Sequence, residues 1–505
     1  MAKIRNTLKT LALLSVGGAL GGIVATLLAP RSGEETRAQL KHKSGQLVEH
    51  LKAARHPKNP KLKTISNWGN FPQVEVEYLE FEDLTTLRQL VQRSDDVIVR
   101  GNGRCYGDSS LAPKVISSLR YNKFIAFDQD QGLLKCQAGV LLSEILDVIV
   151  PQGWFLPVTP GTKLITVGGA IASNVHGKSQ HKAGNFSDHL LDLELMLSDG
   201  SLVTCSPTEN ADLFWMTCGG MGLTGVIVTA TLRLIPVETA YIRQESIKAR
   251  NLYELMDLYE QSEDWTYSLA WIDCLSTGES LGRGYLMRGE HAMVSELATE
   301  AQRREPLNLK LAPKLIVPVT FPNFALNTLT VKIFNEAIYR IQPAGVTNSI
   351  VSYDKFFYPL DSILNWNRIY GKRGFTQYQF ILPKTVSREG LEKIIAKIAN
   401  SGQGSFLAVL KLYQDQQGYL PFAIEGYSLA LDFPITPGLF PLLDELDQLV
   451  LTYGGRLYLT KDVRMDKHMF TRSYPTAERF IEQLKQLNHG AKFRSFQSDR
   501  VGITS

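Results

Sequence analysis

The stretch RGNGRCYGDSS, residues 100–110, follows directly on the apolar run Val97-Ile98-Val99 and carries three glycines, a lone cysteine and two bulky polar side chains. A turn needs one or two glycines, so this many at the end of a buried strand points to a main chain that approaches something other than protein. A second glycine-rich stretch, PGTKLITVGGAIASNVHGK, spans residues 160–178. Each loop can direct backbone N–H groups at an anion, and Gly168, Gly169, Ala170 and Ala172 leave room for a flat ring against the main chain. Phosphates plus a ring describe a dinucleotide. Neither loop has the G-x-G-x-x-G spacing of the hydride-carrier fingerprint, and neither has the G-K-[ST] of a phosphate-binding P-loop.

The flanking sequence is α/β in character. Val74, Val76 and Tyr78 alternate as in a strand, residues 82–94 (EDLTTLRQLVQRS) place Leu84, Leu87, Leu90 and Val91 at helical spacing, and a strand over 97–100 follows. Further on, the pattern predicts short strands around FIAFD and LLKCQAGV, a helix from about 143 to 150, a hairpin at Asp199-Gly200, a helix in ADLFWMTCGG ending at glycines, and a strand in GVIVTATLRLIP. At 505 residues the chain is too long for one ordinary core, and two globular domains with appendages are expected. With 54 basic and 50 acidic residues the charge is nearly balanced, which gives no case for nucleic acid. The five cysteines form no Cys-x-x-Cys pair, and their odd number argues against a closed disulfide framework or a thiolate metal site, so they read as inert thiols and no metal is expected.

The N-terminus differs from the rest. Residues 11–29, LALLSVGGALGGIVATLLA, are uncharged, and as a helix they just reach across a hydrocarbon core of about 30 Å. A signal peptide is the rival reading, but Pro30-Arg31 stands where cleavage should occur, so a single-pass anchor is preferred. The basic residues between 31 and 63 outnumber those before the span, which places the bulk of the chain in the cytoplasm. Residues 1–55, with LLAPRSGEETRAQLK, resemble the YtxH-like family of small membrane proteins; residues 56–67 read as a linker.

RGNGRCYGDSS, PGTKLITVGGAIASNVHGK and DLFWMTCGGMGLTGVI together resemble the FAD-binding domain of the vanillyl-alcohol-oxidase (PCMH) type. AWIDCLS, YPLDSILNWNRIYGKRGFTQYQFILP, FLAVLKLY, LDFPI and GGRLYLTKDVRMD continue it, in order and spacing, as similar to the decaprenylphosphoryl-ribose-oxidase-like flavoproteins from about residue 70 to 500. The resemblance implies an α+β fold: an FAD-binding domain in two parts, 68–237 and 455–505, with a substrate domain of antiparallel sheet and helices, 238–454, inserted between them.

It also implies a site. Arg100, Gly101, Asn102, Gly103, Arg104, Cys105, Tyr106, Gly107, Asp108 and Ser109 match the first cofactor loop. Gly161, Thr166, Val167, Gly168 and Gly169 match the second; Ser173, Asn174, Val175 and His176 run along the flavin; Ile227 and Tyr458 complete the FAD contacts. Relatives that attach flavin covalently carry His where this chain has Arg104, so dissociable FAD is expected. Lys461 matches the family's essential lysine, with Tyr106 and His176 as further catalytic candidates, although a solvated lysine or a packing tyrosine and histidine would be the plain reading of each. Lys178, Trp271, Gln377, Gln379 and Lys411 match positions lining the substrate pocket, and the alternation in QYQF puts Gln377 and Gln379 on one face of a strand. The chain departs from the mycobacterial-type pattern at Ala430, Ser428 and Phe357, which alters the pocket wall.

The run KLIVPVTFPNFALNTLTV from Lys314 is apolar but interrupted by Pro318 and Pro322, so it is either core strand and loop or a lipid-facing lip, and not a spanning helix. The expected activity is oxidation of a secondary alcohol of a sugar or polyol, with the 2-hydroxyl of a polyprenylphosphoryl pentose as the substrate the resemblance implies and a keto-reductase as partner. A soluble aldonolactone or alditol oxidase is the alternative, and a non-catalytic, membrane-docked flavoprotein module is a second.

Overall fold

The structure, a computed structural model, describes residues 61–309 and 314–505. The leader and residues 56–60 of the linker lie outside these residues; among the described residues no helix is long and apolar enough to cross a membrane. Three sheets organise the fold. The first has four strands in the order Lys61–Ile65, Val74–Glu80, Lys114–Ser117 and Val97–Arg100; the first pair is antiparallel and the others run parallel. Helix Leu84–Arg93 connects two of these strands, starts where the Asp83 carboxylate accepts the Thr86 N–H, and buries Leu87 and Val91. Residues 61–65, read above as linker, instead form the edge strand of this sheet. Their sequence KLKTI has no buried face to announce it, and its order comes from main-chain pairing with residues 74–78.

The second sheet has five antiparallel strands, ordered Phe124–Asp128, Leu133–Gln137, Val226–Arg233, Leu190–Met196 and Leu202–Cys205. The helices at Leu142–Ile149 and Ala211–Thr217 and the hairpin at Asp199-Gly200 stand where the pattern placed them. The short helix Val167–Ala172 presses the second glycine loop onto this sheet: the Gly168 N–H reaches the Ala138 carbonyl at 2.8 Å, and a Cβ on Gly168 would meet the Ala138 Cβ at 3.0 Å.

The third sheet is antiparallel throughout and has eight strands. Its centre is formed by Tyr267–Ile272, Ala408–Tyr413, Gly426–Pro434 and Phe375–Pro383. On one face Leu410, Leu412, Leu429, Leu431, Tyr378 and Phe380 join the core under helices Leu252–Glu260, Ser387–Ser401 and Leu439–Thr452. The opposite face turns Trp271, Val409, Lys411, Ala430, Asp432, Gln377 and Gln379 into a cavity. The period-two alternation of the strands makes this division, with one face apolar and the other chemical.

The chain then returns to its beginning. Strand Arg456–Leu457 pairs with Phe380 and Ile381, and residues 458–462 turn back against the first glycine loop, with the Tyr106 N–H donating to the Thr460 carbonyl at 3.1 Å. Arg500 locks this junction by donating to Asp108 at 2.6 Å and to Asp462 at 3.0 Å, both carboxylates being buried. Removing the guanidinium leaves two unpaired buried carboxylates, a change that costs about 3–5 kcal/mol in comparable settings. Arg500→Met is therefore expected to lower the urea midpoint strongly, whereas Arg494→Met, which breaks partly exposed pairs with Asp96 and Asp499, should lower it far less. Equal midpoints for the two variants would show that the junction does not depend on Arg500.

Candidate active site

A single cavity of about 1550 Å³ lies between the glycine loops and the chemical face of the eight-stranded sheet. Pockets for one ligand of ordinary size run to about 300–1,000 Å³, so this one has room for two molecules. Its inner wall is made of Gly101, Asn102, Gly103, Arg104, Cys105, Tyr106 and Ser109 from the first loop, with Gly161, Thr166, Gly168, Gly169, Ser173, Val175 and His176 from the second; Ile227 and Tyr458 close it. The two loops are tied together by Asn102, whose side-chain amide donates to the Leu164 carbonyl at 2.7 Å.

Five residues assigned above to cofactor binding do not line the cavity, and the structure gives each a supporting place. Arg100 points back to donate to the Ser66 carbonyl at 2.8 Å and to the Asn67 side chain. Gly107 is packed so closely on the Asp462 carbonyl that a Cβ would lie 1.9 Å from it. Asp108 is held by Arg500. Val167 is core, and Asn174, at φ +37°, accepts the Ser187 N–H on its side-chain oxygen. These positions shape the loops from behind, where motif matching cannot separate contact from support.

The remaining surface fits the cofactor that the resemblance implies. A Cβ built on Gly161 would meet no atom within 4 Å, and one on Gly169 only Thr166 Oγ1 at 3.1 Å, so the missing side chains leave cavity rather than packing. Gly103 takes a left-handed φ of +57°. Arg104 lies over the Trp68 ring at 4.5 Å, donates to the Asn102 carbonyl at 3.0 Å, and keeps a buried Nε that has no partner. An orphaned guanidinium nitrogen beside bare glycine backbone suits an anionic group such as a pyrophosphate.

The chemical wall stands opposite. Lys461 lines the cavity with its ammonium 4.2 Å from the centre of the Tyr106 ring. Gln377 and Asp432 are cross-strand neighbours, and the Gln377 amide donates to the Asp432 carboxylate at 2.6 Å and reaches the Tyr106 hydroxyl at 3.5 Å. Burial pushes the Lys461 amine below the ordinary lysine range and the Asp432 carboxyl above the ordinary carboxylate range; the opposite charge of each partly offsets the other's shift. Burial also holds the Tyr106 phenol well above its usual value, so it stays protonated. Lys411 is lowered to about 8, first by burial and then by Lys461. Lys178 is depressed as well, donating to the Phe356 carbonyl with its ammonium 4.1 Å from the Phe356 ring.

His176 stands in an aromatic box, 4.8 Å from both Tyr413 and Tyr458 and 5.4 Å from Phe422. Its Nε2 accepts from the Gln379 amide at 3.1 Å, and burial drives its pKa well down, so the ring is neutral with that nitrogen occupied. All three catalytic candidates line the cavity, but Tyr106 is held protonated and the His176 Nε2 already accepts from Gln379, which leaves Lys461 as the one whose amine combines a lowered pKa with a free approach to the cavity. Trp271 forms floor rather than a polar contact, since its Nε1 already donates to the Phe406 carbonyl at 3.1 Å. The substituted positions are here too: Ala430 sits beside Gln379 in the sheet, Ser428 accepts from the Gln379 amide at 3.2 Å, and Phe357 lines the wall.

Asp432 escaped the sequence reading, although LDFPI contains it. A carboxylate among apolar residues of an alternating strand, on the same face as Ser428 and Ala430, was the available signal. The apolar run from Lys314 divides: Ala325 and Val331 are buried, Val331 in the core, while Leu315, Ile316, Val319, Phe324 and Leu329 stand exposed. Leu315–Ile316 pairs in parallel with Ile363–Leu364 and, with Leu329, Ile333 and Phe334 of helix Thr328–Ile341, lines the cavity's outer end.

Comparison with known proteins agrees with this geometry. The FAD binding domain family matches residues 82–206. The chain is 35% identical over 452 residues to the decaprenylphosphoryl-beta-D-ribose oxidase of Mycolicibacterium smegmatis, covering 87% of this chain and 98% of that protein. Shorter matches are to the D-lactate dehydrogenase of Anaerostipes hadrus, 29% identical over 34% of this chain and 38% of that protein, and to the human delta(24)-sterol reductase, 35% identical over 22% of each. A dinucleotide cradle, a desolvated lysine facing it and likeness along nearly the whole length of one flavoprotein lead to one conclusion: the chain is an FAD-dependent oxidoreductase and belongs to the decaprenylphosphoryl-β-D-ribose oxidase family.

Proposed function

We propose that the protein oxidises a secondary alcohol on a sugar carried by a lipid phosphate, with the 2-hydroxyl of a polyprenylphosphoryl pentose as the favoured group. The observation that carries this reading is the two-ended cavity. Its inner end is polar, with Lys461, Asp432, Gln377 and Lys411, and its outer end is apolar, with Leu315, Ile316, Leu329 and Ile333. A soluble aldonolactone or alditol has no use for the apolar end. A purely docking module has no use for a lysine and a carboxylate buried together against an open cavity, an arrangement that is costly unless chemistry requires it.

FAD, when bound, supplies the acceptor for the hydride that leaves the carbinol carbon. The chain's own residues handle the proton. Lys461, its ammonium form disfavoured by burial, is a base for the hydroxyl proton at Nζ, and Asp432 beside it sets how readily that proton is held. Gln377 fixes the carboxylate, and Lys411 and Lys178, whose ammonium forms burial disfavours, are donors that an anionic headgroup would recharge by its own field. A ketone product calls for a separate keto-reducing enzyme as partner. The leader would anchor this chemistry at a membrane, with the catalytic bulk on the cytoplasmic side.

Lys461→Met is expected to keep its flavin and a near-normal visible spectrum while losing about 10²–10⁴-fold in the rate of anaerobic flavin reduction by the lipid-linked sugar; reduction at the parental rate would remove Lys461 from its role. Gly169→Val should instead lose the flavin itself, read as the absorbance ratio of the purified protein, because its branched side chain projects into the cradle. The pH dependence gives a third test. The Asp432 charge raises the Lys461 pKa, so Asp432→Asn lowers it and leaves the amine neutral to lower pH. The rising limb of the reduction rate against pH should move to lower pH in this variant, and an unmoved limb would mean that another group takes the proton.

A further inference from the structure

The outer end of the cavity does not close into a protein surface of ordinary character. Leu315, Ile316, Val319, Phe324, Leu329 and Ile333 are all more than two-fifths exposed, and Phe324 reaches 78%. They are six of the fourteen large hydrophobic side chains that stand exposed among the described residues, yet they come from one short segment. Soluble surfaces scatter such residues singly, and a contiguous set marks a contact. Some of them, including Leu315 and Leu329, also line the cavity, so the patch is the rim of the opening rather than a separate face.

The charge around the rim identifies the contact. Between residues 314 and 373 the chain has seven lysines and arginines against three acidic residues, an excess equal to that of the whole chain. Lys314, Lys332, Lys355 and Arg373 are exposed there. An apolar patch ringed by exposed basic side chains matches an anionic bilayer, where hydrocarbon receives the apolar residues and headgroups receive the charges. Pro318 and Pro322 rule out a spanning helix in this segment, so the contact is shallow. The exposed helix face bearing Leu329 and Ile333 is anchored by Asn327, whose side chain accepts the N–H groups of Leu329 and Thr330.

We infer that the collar formed by residues 315–333 seats the mouth of the cavity directly on an anionic lipid bilayer, so that a lipid-borne substrate reaches the inner end without crossing water. This contact is additional to any hold by the N-terminal leader and does not depend on which sugar is oxidised.

The test uses the full chain bound to vesicles of phosphatidylcholine and phosphatidylglycerol, with the photoreactive residue benzoyl-phenylalanine placed by Phe324→benzoyl-phenylalanine or, as a comparison, Leu202→benzoyl-phenylalanine. After illumination, mass spectrometry should find phospholipid attached at position 324 and not at 202. The adduct should diminish in vesicles of phosphatidylcholine alone and in the Lys332→Glu, Arg373→Glu variant. Attachment at 324 to a second copy of the protein or to the chain's own first sixty residues would overturn the proposal, as would equal lipid attachment at both positions or none at 324. Flavin reduction by the lipid-linked sugar, measured on the same samples, separates the two readings. A protein that reacts without lipid attachment refutes the collar alone, and one that attaches lipid without reacting refutes the catalytic reading alone.

Discussion

The hydrogen bond from the Tyr106 N–H to the Thr460 carbonyl joins the first glycine loop to the last part of the chain, and the site depends on that junction. On one side of it lies the cofactor cradle; on the other, the turn that carries Lys461. Because Gly107 packs on the Asp462 carbonyl with no space for a side chain, and Arg500 bridges Asp108 and Asp462, the two segments are held in one register. The ammonium of Lys461 therefore lies over the Tyr106 ring by construction rather than by the chance of a flexible side chain. Such backing keeps the amine in place while its surroundings disfavour its charge, as the proposed proton transfer requires.

The eight-stranded sheet supplies the other half of the arrangement. Its strands alternate so regularly that Tyr378, Phe380, Leu429 and Leu431 enter a core while Gln377, Gln379, Ala430 and Asp432 face the cavity. A single substitution on the cavity face changes the pocket without touching the core, which is the setting in which Ala430 and Ser428 can differ from the mycobacterial-type pattern while the fold stays intact. The desolvation of Lys411 and Asp432 on this face, and of Lys461 and Lys178 on the segments that close over it, is the energetic cost of the site, and the apolar core behind the sheet offsets that cost.

The polar inner end and the apolar rim divide the labour of recognition. In the proposed reading, a few directional groups near Lys461 select and orient a hydroxyl, whereas at the rim non-directional apolar contact and basic charge select an environment. This arrangement also accounts for the cavity volume, which exceeds what one bound molecule fills.

Much of this was legible in the sequence because it is local. The glycine loops declare a close approach to a ligand through composition, helix Leu84–Arg93 declares itself through 3.6-residue spacing, and QYQF places two glutamines on one face through period two. Lys461 was legible only through likeness to a family, since by itself TKDVR is a surface-like string. Tertiary structure decided the rest. The pairing of Asp432 with Gln377 and its influence on Lys461 depend on strands and a turn that are distant in the chain, and no local pattern encodes the burial that shifts their protons. The edge strand at Lys61–Ile65 takes its order from its neighbour's backbone, and the supporting places of Arg100, Gly107 and Asp108 appear only when the C-terminal segment is laid against the first loop. Sequence determines which residues can perform the chemistry; desolvation and register, which exist only in the folded chain, determine which of them do.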